Sequence, residues 1–240
     1  AITRTTTVPK CCGERRENLG TDYGVVSDST FPRVRYGFVL ECRRLIMTTL
    51  EHILHKYDLP KDQVIIDVPQ AGRNELVSLL HELDFKSGVE VGVQRGIFSE
   101  IICKKNPQMR VYGVDAWALP NGPRMRPKAQ KRMGIYPQYS IIDNWSVIAS
   151  QQFADHSLDF VYIDADHSCE SCLADITAWH PKIRVGGILS GHDYHNTVPG
   201  SWVKCHVKKA VLDYTREHQI APLLIWGRGL DKFTSWSFVV

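Results

Sequence analysis

The sequence predicts an α/β domain organised on a largely parallel β-sheet, and three observations carry that expectation. From Gly88 onward, short apolar runs alternate with segments of helical periodicity, the pattern of parallel strands joined by crossover helices. Those runs are near-continuous, Leu158–Asp164 (LDFVYID) most of all, as suits strands covered on both faces. At 240 residues the chain is long enough for one domain with a substantial core.

The elements follow in order. The opening stretch is polar, carries Gly13, Gly20 and Gly24, and reads as an irregular lead-in. From about Tyr36 to Tyr57, Val39, Cys42, Ile46, Leu50, Ile53 and Leu54 recur at helical spacing. This amphipathic helix is expected to pack on the main domain, so residues 1–73 are read as an appended segment and 74–240 as the domain proper. A short helix from about Asn74 places Leu76, Leu79, Leu80 and Leu83 on one stripe. Strands are expected at Val89–Val93, Arg110–Asp115, Tyr139–Ile142, Leu158–Asp164 and Gly186–Ser190. Helices are expected at Ile97–Lys105, Glu170–Trp179 and Lys204–Glu217. Ala221–Trp226 and Phe233–Val240, joined through Gly227 and Gly229, read as a closing hairpin.

Composition narrows the function classes. Hydrophobic content of 43% and charged content of 23% are those of a globular chain. A formal net charge of +3 does not point to nucleic acid, and no apolar run reaches the roughly 18–20 residues of a membrane helix. The N-terminus lacks the apolar core of a signal peptide. Seven scattered cysteines are not a disulfide framework, and Cys169-x-x-Cys172 suits one helix face. A cytoplasmic protein is therefore expected.

In an open α/β sheet, ligands sit outside the carboxyl ends of the strands where strand order reverses, so the residues leaving each strand are the candidates. After the first strand, Gly92 and Gly96 would let the backbone approach a ligand and turn into a helix. Their spacing is not the G-x-G-x-x-G of nicotinamide or flavin sites. Glu90, inside an apolar strand, needs a partner. Asp115 could accept both hydroxyls of a ribose or cap a turn, and Trp145 and Ser146 could frame an adenine ring. The next two strands deliver Asp164, Asp166 and His167, then His192, Asp193 and Tyr194. Two carboxylates and two imidazoles at one edge could bind a divalent cation, with His167 left as general base. Asp166 is read as a helix cap, and His195 and His206 as surface residues. The segment NGPRMRPKAQKRMG is either a lid that recruits an anionic acceptor or a solvated helix face.

Taken in order, VEVGVQRGIFSE, VYGVDAW, LDFVYIDADHS, ADITAWHPKI and VGGILSGHDY resemble the class I S-adenosylmethionine-dependent methyltransferases. They resemble in particular the metal-dependent O-methyltransferases that act on sugars. The resemblance runs from about Asn74 to Val240, including the SWSFV ending. It implies a Rossmann-like, seven-stranded, mostly parallel sheet flanked by helices, with the last hairpin strand antiparallel. It also implies that Glu90, Gly92, Gly96, Asp115 and Ser146 hold S-adenosylmethionine. In those relatives an Asp ending the fourth strand is a metal ligand and a His three residues later is the base, a spacing that Asp164 and His167 reproduce. Their adjacent acidic pair is here His192-Asp193, giving Asp164, His192 and Asp193 as the ligand set. The imidazole suits manganese, iron or zinc better than magnesium.

The resulting expectation is a methyltransferase acting on a hydroxyl of a carbohydrate or similar small molecule. S-adenosyl-L-methionine is its cofactor, with a divalent metal, magnesium or manganese, assisting. Neither nucleic acid nor membrane is an expected partner, and the N-terminal helix is offered as a homo-oligomer element. The competing readings are a metal-dependent oxygenase or hydrolase using His167, His192 and Asp193, and a binding module without chemistry.

Overall fold

The computed structural model describes residues 47–197, 205–228 and 230–240. In chain order the elements are α1 (Thr49–Lys56), β1 (Ile65–Asp67), α2 (Arg73–Glu82), β2 (Ser87–Val91), α3 (Ile97–Lys105), β3 (Arg110–Asp115), α4 (Gly122–Met133) and β4 (Tyr139–Asp143). They continue with α5 (Ser146–Ser150), β5 (Leu158–Ile163), α6 (Cys169–Trp179), β6 (Ile183–Gly191), α7 (Val207–Glu217), β7 (Leu223–Trp226) and β8 (Ser235–Val239). The strands form one sheet in the order β1-β7-β8-β6-β5-β2-β3-β4. Every pairing is parallel except those of β8, which runs antiparallel to β6 and β7.

The sheet has eight strands where seven were expected. The additional strand, β1, is three residues long with only its middle residue buried, too short for any periodicity to register. It pairs with β7 at the edge, so the sheet begins before residue 74. The amphipathic helix expected from Tyr36 begins, within the described residues, at Thr49. Thr48 stops it there: its hydroxyl accepts from the Glu51 amide and Glu51 accepts from the Thr48 amide, a reciprocal cap. Residues 36–46 of the expected helix lie outside the described residues, as do Cys11, Cys12, Cys42 and Gly229.

Burial explains why the central strands were readable. All six residues of β5 are buried, sandwiched between two cores. One contains Leu76, Leu80, Phe98, Ile102, Phe160 and Tyr162; the other contains Val89, Val161, Ile176, Trp179, Val211 and Trp236. Asp159, the one acid in β5, is satisfied by the amides of Lys86 and Ser87 at 2.7 and 2.8 Å and by Arg184 Nε at 2.5 Å. The chain leaves β2 toward β3 and β4 on one side, and β5 toward β6 on the other. Their carboxyl ends therefore flank the point where strand order reverses. No helix among the described residues is long and apolar enough to cross a membrane, and Cys103, Cys169, Cys172 and Cys205 are free thiols.

Candidate active site

At that reversal point lies a cleft of about 790 Å³, lined among others by Arg73, Gly92, Gln94, Phe98, Asp164 and His167. Gly92 makes the closeness of its walls feasible. It has φ +97°, and a Cβ there would stand 1.9 Å from the carbonyl oxygen of Asp164, so only glycine lets β2 and β5 converge. Gly96, φ +72°, is the left-handed residue that opens α3. The G-x-x-x-G spacing thus marks a turn whose backbone faces the cleft.

Asp115, at the end of β3, accepts from the Gln94 amide at 2.8 Å and the Trp117 amide at 2.6 Å. It ties the glycine turn to the next loop of the same rim. Trp145 follows β4 with its ring exposed. Ser146 turns the other way, its hydroxyl accepting from Trp179 Nε1 at 2.9 Å. Glu90 is not brought to the cleft. It is 1% exposed beneath α3, where Ser99 donates its hydroxyl to the carboxylate, and Tyr139 in turn lies 3.0 Å from Ser99 Oγ. The partner that this buried acid requires is therefore a hydroxyl pair inside the fold. Sequence alternation cannot tell which sheet face a fully buried strand residue takes.

Burial pushes the Glu90 carboxyl up to about 8, against the Ser99 hydrogen bond and with help from the nearby charges of Asp164 and Asp115. Between its ordinary value of 4.5 and about 8, the native state keeps a proton that the unfolded chain has released. Stability must therefore fall as pH rises through that window. Glu90→Gln should flatten this slope and gain roughly 2–4 kcal/mol at pH 8. Urea unfolding of both proteins at pH 5, 6.5 and 8 checks this; parallel slopes would show that Glu90 carries no such proton.

Across the cleft, β5 and β6 deliver a compact cluster. His167 Nε2 lies 3.1 Å from Asp193 Oδ2 and 3.6 Å from Asp164 Oδ1. His192 Nδ1 lies 3.1 Å from the same Asp193 oxygen and 3.8 Å from Asp164 Oδ2. Asp164, its neighbouring carboxylate and His167 offer ligand atoms within 4.8 Å of one another. His167 Nε2 is moreover buried without an aligned hydrogen-bond partner. An imidazole nitrogen drawn in between two carboxylates is a donor set that fits a divalent cation. The tightest trio is thus Asp164, His167 and Asp193, whereas the sequence put His192 in the third place; His192 stands directly behind it, bonded to Asp193.

Electrostatics follow from this crowding. The carboxylates of Asp164 and Asp193 push the His167 imidazole up to about 10, overcoming the opposite effect of burial. Burial would raise Asp193, but His167 and His192 overcome it and hold that carboxyl well below the usual carboxylate range.

The remaining candidates fall into place. Asp166 accepts from the Ser168 amide at 2.7 Å, bracing the turn in front of the Ser168 cap of α6. His195 stacks on Phe233 with ring centroids 4.9 Å apart, and Tyr194 is buried with its hydroxyl unpartnered. Sequence reasoning missed Arg73, the first residue of α2. Its guanidinium lies 5.1 Å over the Phe98 ring and it lines the cleft. Asp231, from beyond β7, fixes its backbone by accepting from the Arg73 amide at 3.1 Å. One arginine at a helix start carries no pattern, so no sequence signal could have singled it out.

Residues 89–194 match a family model described as a methyltransferase domain. No curated protein sequence matches the chain. Among solved structures it is similar to an O-methyltransferase family protein from Burkholderia thailandensis, at 14% identity and a TM-score of 0.53, over 70% of this chain and 55% of that one. The chain thus spans about half the length of that relative. It is also similar to the Bacillus cereus O-methyltransferase in complex with S-adenosylhomocysteine, at 16% identity and a TM-score of 0.53, over 80% of this chain and 90% of that one. A Podospora anserina methyltransferase, also bound to S-adenosylhomocysteine, aligns at 10% identity and a TM-score of 0.53, over 70% and 78% of the two chains. None of these is an oxygenase or hydrolase, and that alternative is not favoured. Residues 89–194, which hold the glycine turn and the acidic cluster, are thus similar to a methyltransferase domain, and the chain shares the fold of these solved methyltransferases.

Proposed function

We propose that the protein is an O-methyltransferase acting on a hydroxyl of a carbohydrate or similar polyhydroxylated small molecule, assisted by a divalent cation. The observation that carries this reading is that Asp164 and His167, which cluster with the buried Asp193, line the same cleft as the Gly92 turn. S-adenosylmethionine supplies the electrophilic methyl group, and a cation would lower the cost of forming the acceptor alkoxide.

The chain's own residues do the rest. The Gly92–Gly96 turn would lie against the cofactor, Asp115 would accept the ribose hydroxyls, and Trp145 would cover the adenine. Arg73 sits where it can hold the carboxylate of the amino-acid tail. Asp164 and Asp193, with the imidazole of His192, would hold the cation. Manganese suits this mixed set better than magnesium. His167 is the imidazole that lines the cleft; a cation neutralising the Asp164 and Asp193 carboxylates, which hold its proton in the cation-free protein, would free its nitrogen to take the proton from the acceptor hydroxyl. Positioning acceptor and sulfonium in line supplies much of the acceleration. A second arrangement, with His167 itself as ligand, is favoured by the grouping of its nitrogen with the Asp164 and Asp193 carboxylates. The two arrangements separate on His192→Ala, which weakens manganese binding only in the first.

Ligand binding tests the reading directly. S-adenosylhomocysteine at 100 times its Kd should stabilise the protein by about 2.7 kcal/mol, seen as a rise in Tm. Asp115→Ala should remove most of that rise. A Tm indifferent to the nucleoside in the unsubstituted protein would end the proposal.

A further inference from the structure

Helix α4 carries Arg124, Arg126, Lys128, Lys131 and Arg132, and not one carboxylate. Arg124, Lys128 and Arg132 follow one another at i,i+4, and Lys131 lies three residues from Lys128. Like charges at such spacings destabilise a helix, and basic residues in its first turn oppose the positive end of the helix dipole. This arrangement works against the stability of its own helix. Arg126 meets Asp143 of β4 and Arg132 meets Glu100 of α3, which accounts for two of the five charges; the others call for another explanation.

Packing supplies one. Between α4 and the start of α3 lies a groove of about 540 Å³, bordered by Arg95, Glu100, Lys128, Lys131 and Arg132. Its only carboxylate is already matched: Glu100 meets Arg132 Nε at 3.2 Å and Lys104 Nζ at 3.0 Å. Arg132 is further fixed by donating to the Arg95 carbonyl at 2.6 Å. Arg95, Lys128 and Lys131 form no ion pair among the described residues, and both lysines are exposed. Arg95 and Ile97 border this groove and the cleft alike, which makes the two continuous over the first turn of α3.

We propose that this groove is an anion subsite that holds the phosphate or diphosphate group of a small-molecule acceptor while its hydroxyl lies in the cleft. The proposal rests on the methyltransferase reading and narrows its substrate class to phosphate esters. Continuity with the cleft favours a substrate group over a separate polyanion. The small size of the groove suits one or two phosphates and not the extended basic track that nucleic acid needs.

Inorganic pyrophosphate is the probe, titrated calorimetrically into the full chain with S-adenosylhomocysteine present. Saturable binding is expected, weakened tenfold or more in K128A/K131A and retained in K128R/K131R, with affinity for S-adenosylhomocysteine unchanged in both variants. Lys209→Ala, on α7, should leave pyrophosphate binding as it was. Absence of saturable pyrophosphate binding, or equal affinity in K128A/K131A, would overturn the subsite. So would steeply salt-dependent binding of a 20-mer oligonucleotide that the same substitutions abolish while pyrophosphate fails to bind. If pyrophosphate binds as expected but S-adenosylhomocysteine does not, the methyltransferase reading fails and the anion site stands alone.

Discussion

Asp193→Asn is expected to lower turnover by about 10³-fold, within the range of a lost acid–base or electrostatic group, while S-adenosylhomocysteine binds nearly as before. Its Oδ2 is the point on which the site converges, 3.1 Å from His167 Nε2 and 3.1 Å from His192 Nδ1. Removing its charge takes away the group that contacts both imidazoles and, on the proposed reading, a cation ligand. Asparagine keeps the shape, and it tolerates the left-handed backbone found there, φ +52°, so the fold should survive. Tritium transfer from labelled S-adenosylmethionine to an acceptor that the unsubstituted protein methylates gives the rate; calorimetry with manganese gives the ligand role. EDTA should reproduce the loss of rate in the unsubstituted protein, and manganese should restore it there but not in the variant. Turnover in the variant within a few fold of the starting rate would remove Asp193 from the chemistry.

The legible parts of this molecule are those where burial constrains residue type on both sides of a strand. Arg110–Asp115 and Ile97–Lys105 were read to the residue, and β5 to within one, because such strands must be apolar throughout and the helices between them must alternate. The order of Gly92, Asp115, Asp164 and Asp193 along one rim followed from the same logic, since parallel strands present all their carboxyl ends together. Illegible were β1, whose three residues have a single buried member, and α5, only five residues long. The direction taken by a side chain at the rim was also beyond sequence. Glu90 and Ser146 sit at the expected positions, yet one is sealed under α3 and the other bonds Trp179. Likewise, nothing in the spacing of His167 and His192 tells which imidazole meets the carboxylates first; the close approach of β5 and β6 decides it.

That dependence of the site on backbone approach gives the second large effect. Gly92→Ala is expected to destabilise the protein by roughly 3 kcal/mol or more, since strain at positive φ alone costs of order 1–3 kcal/mol. The added methyl group would have to sit 1.9 Å from the Asp164 oxygen, 2.5 Å from its carbonyl carbon and 2.9 Å from the Ala165 nitrogen. All three atoms are backbone and none can swing aside, so the loops after β2 and β5 must separate. In a domain of this size, 3 kcal/mol corresponds to a fall in Tm of roughly 6–12 °C. Affinity for S-adenosylhomocysteine should drop by more than the loss of stability explains, because the cleft itself opens. Gly96→Ala is the informative contrast. Its φ of +72° is also unfavourable, but the methyl would meet the Met133 side chain, at 3.1 Å from Cγ, and a thioether chain can adjust. Its cost should therefore be of order 1 kcal/mol, with binding little changed. If Gly96→Ala proves the more damaging of the two, in Tm or in nucleoside affinity, the contact between the β2 and β5 loops is not what shapes the cleft.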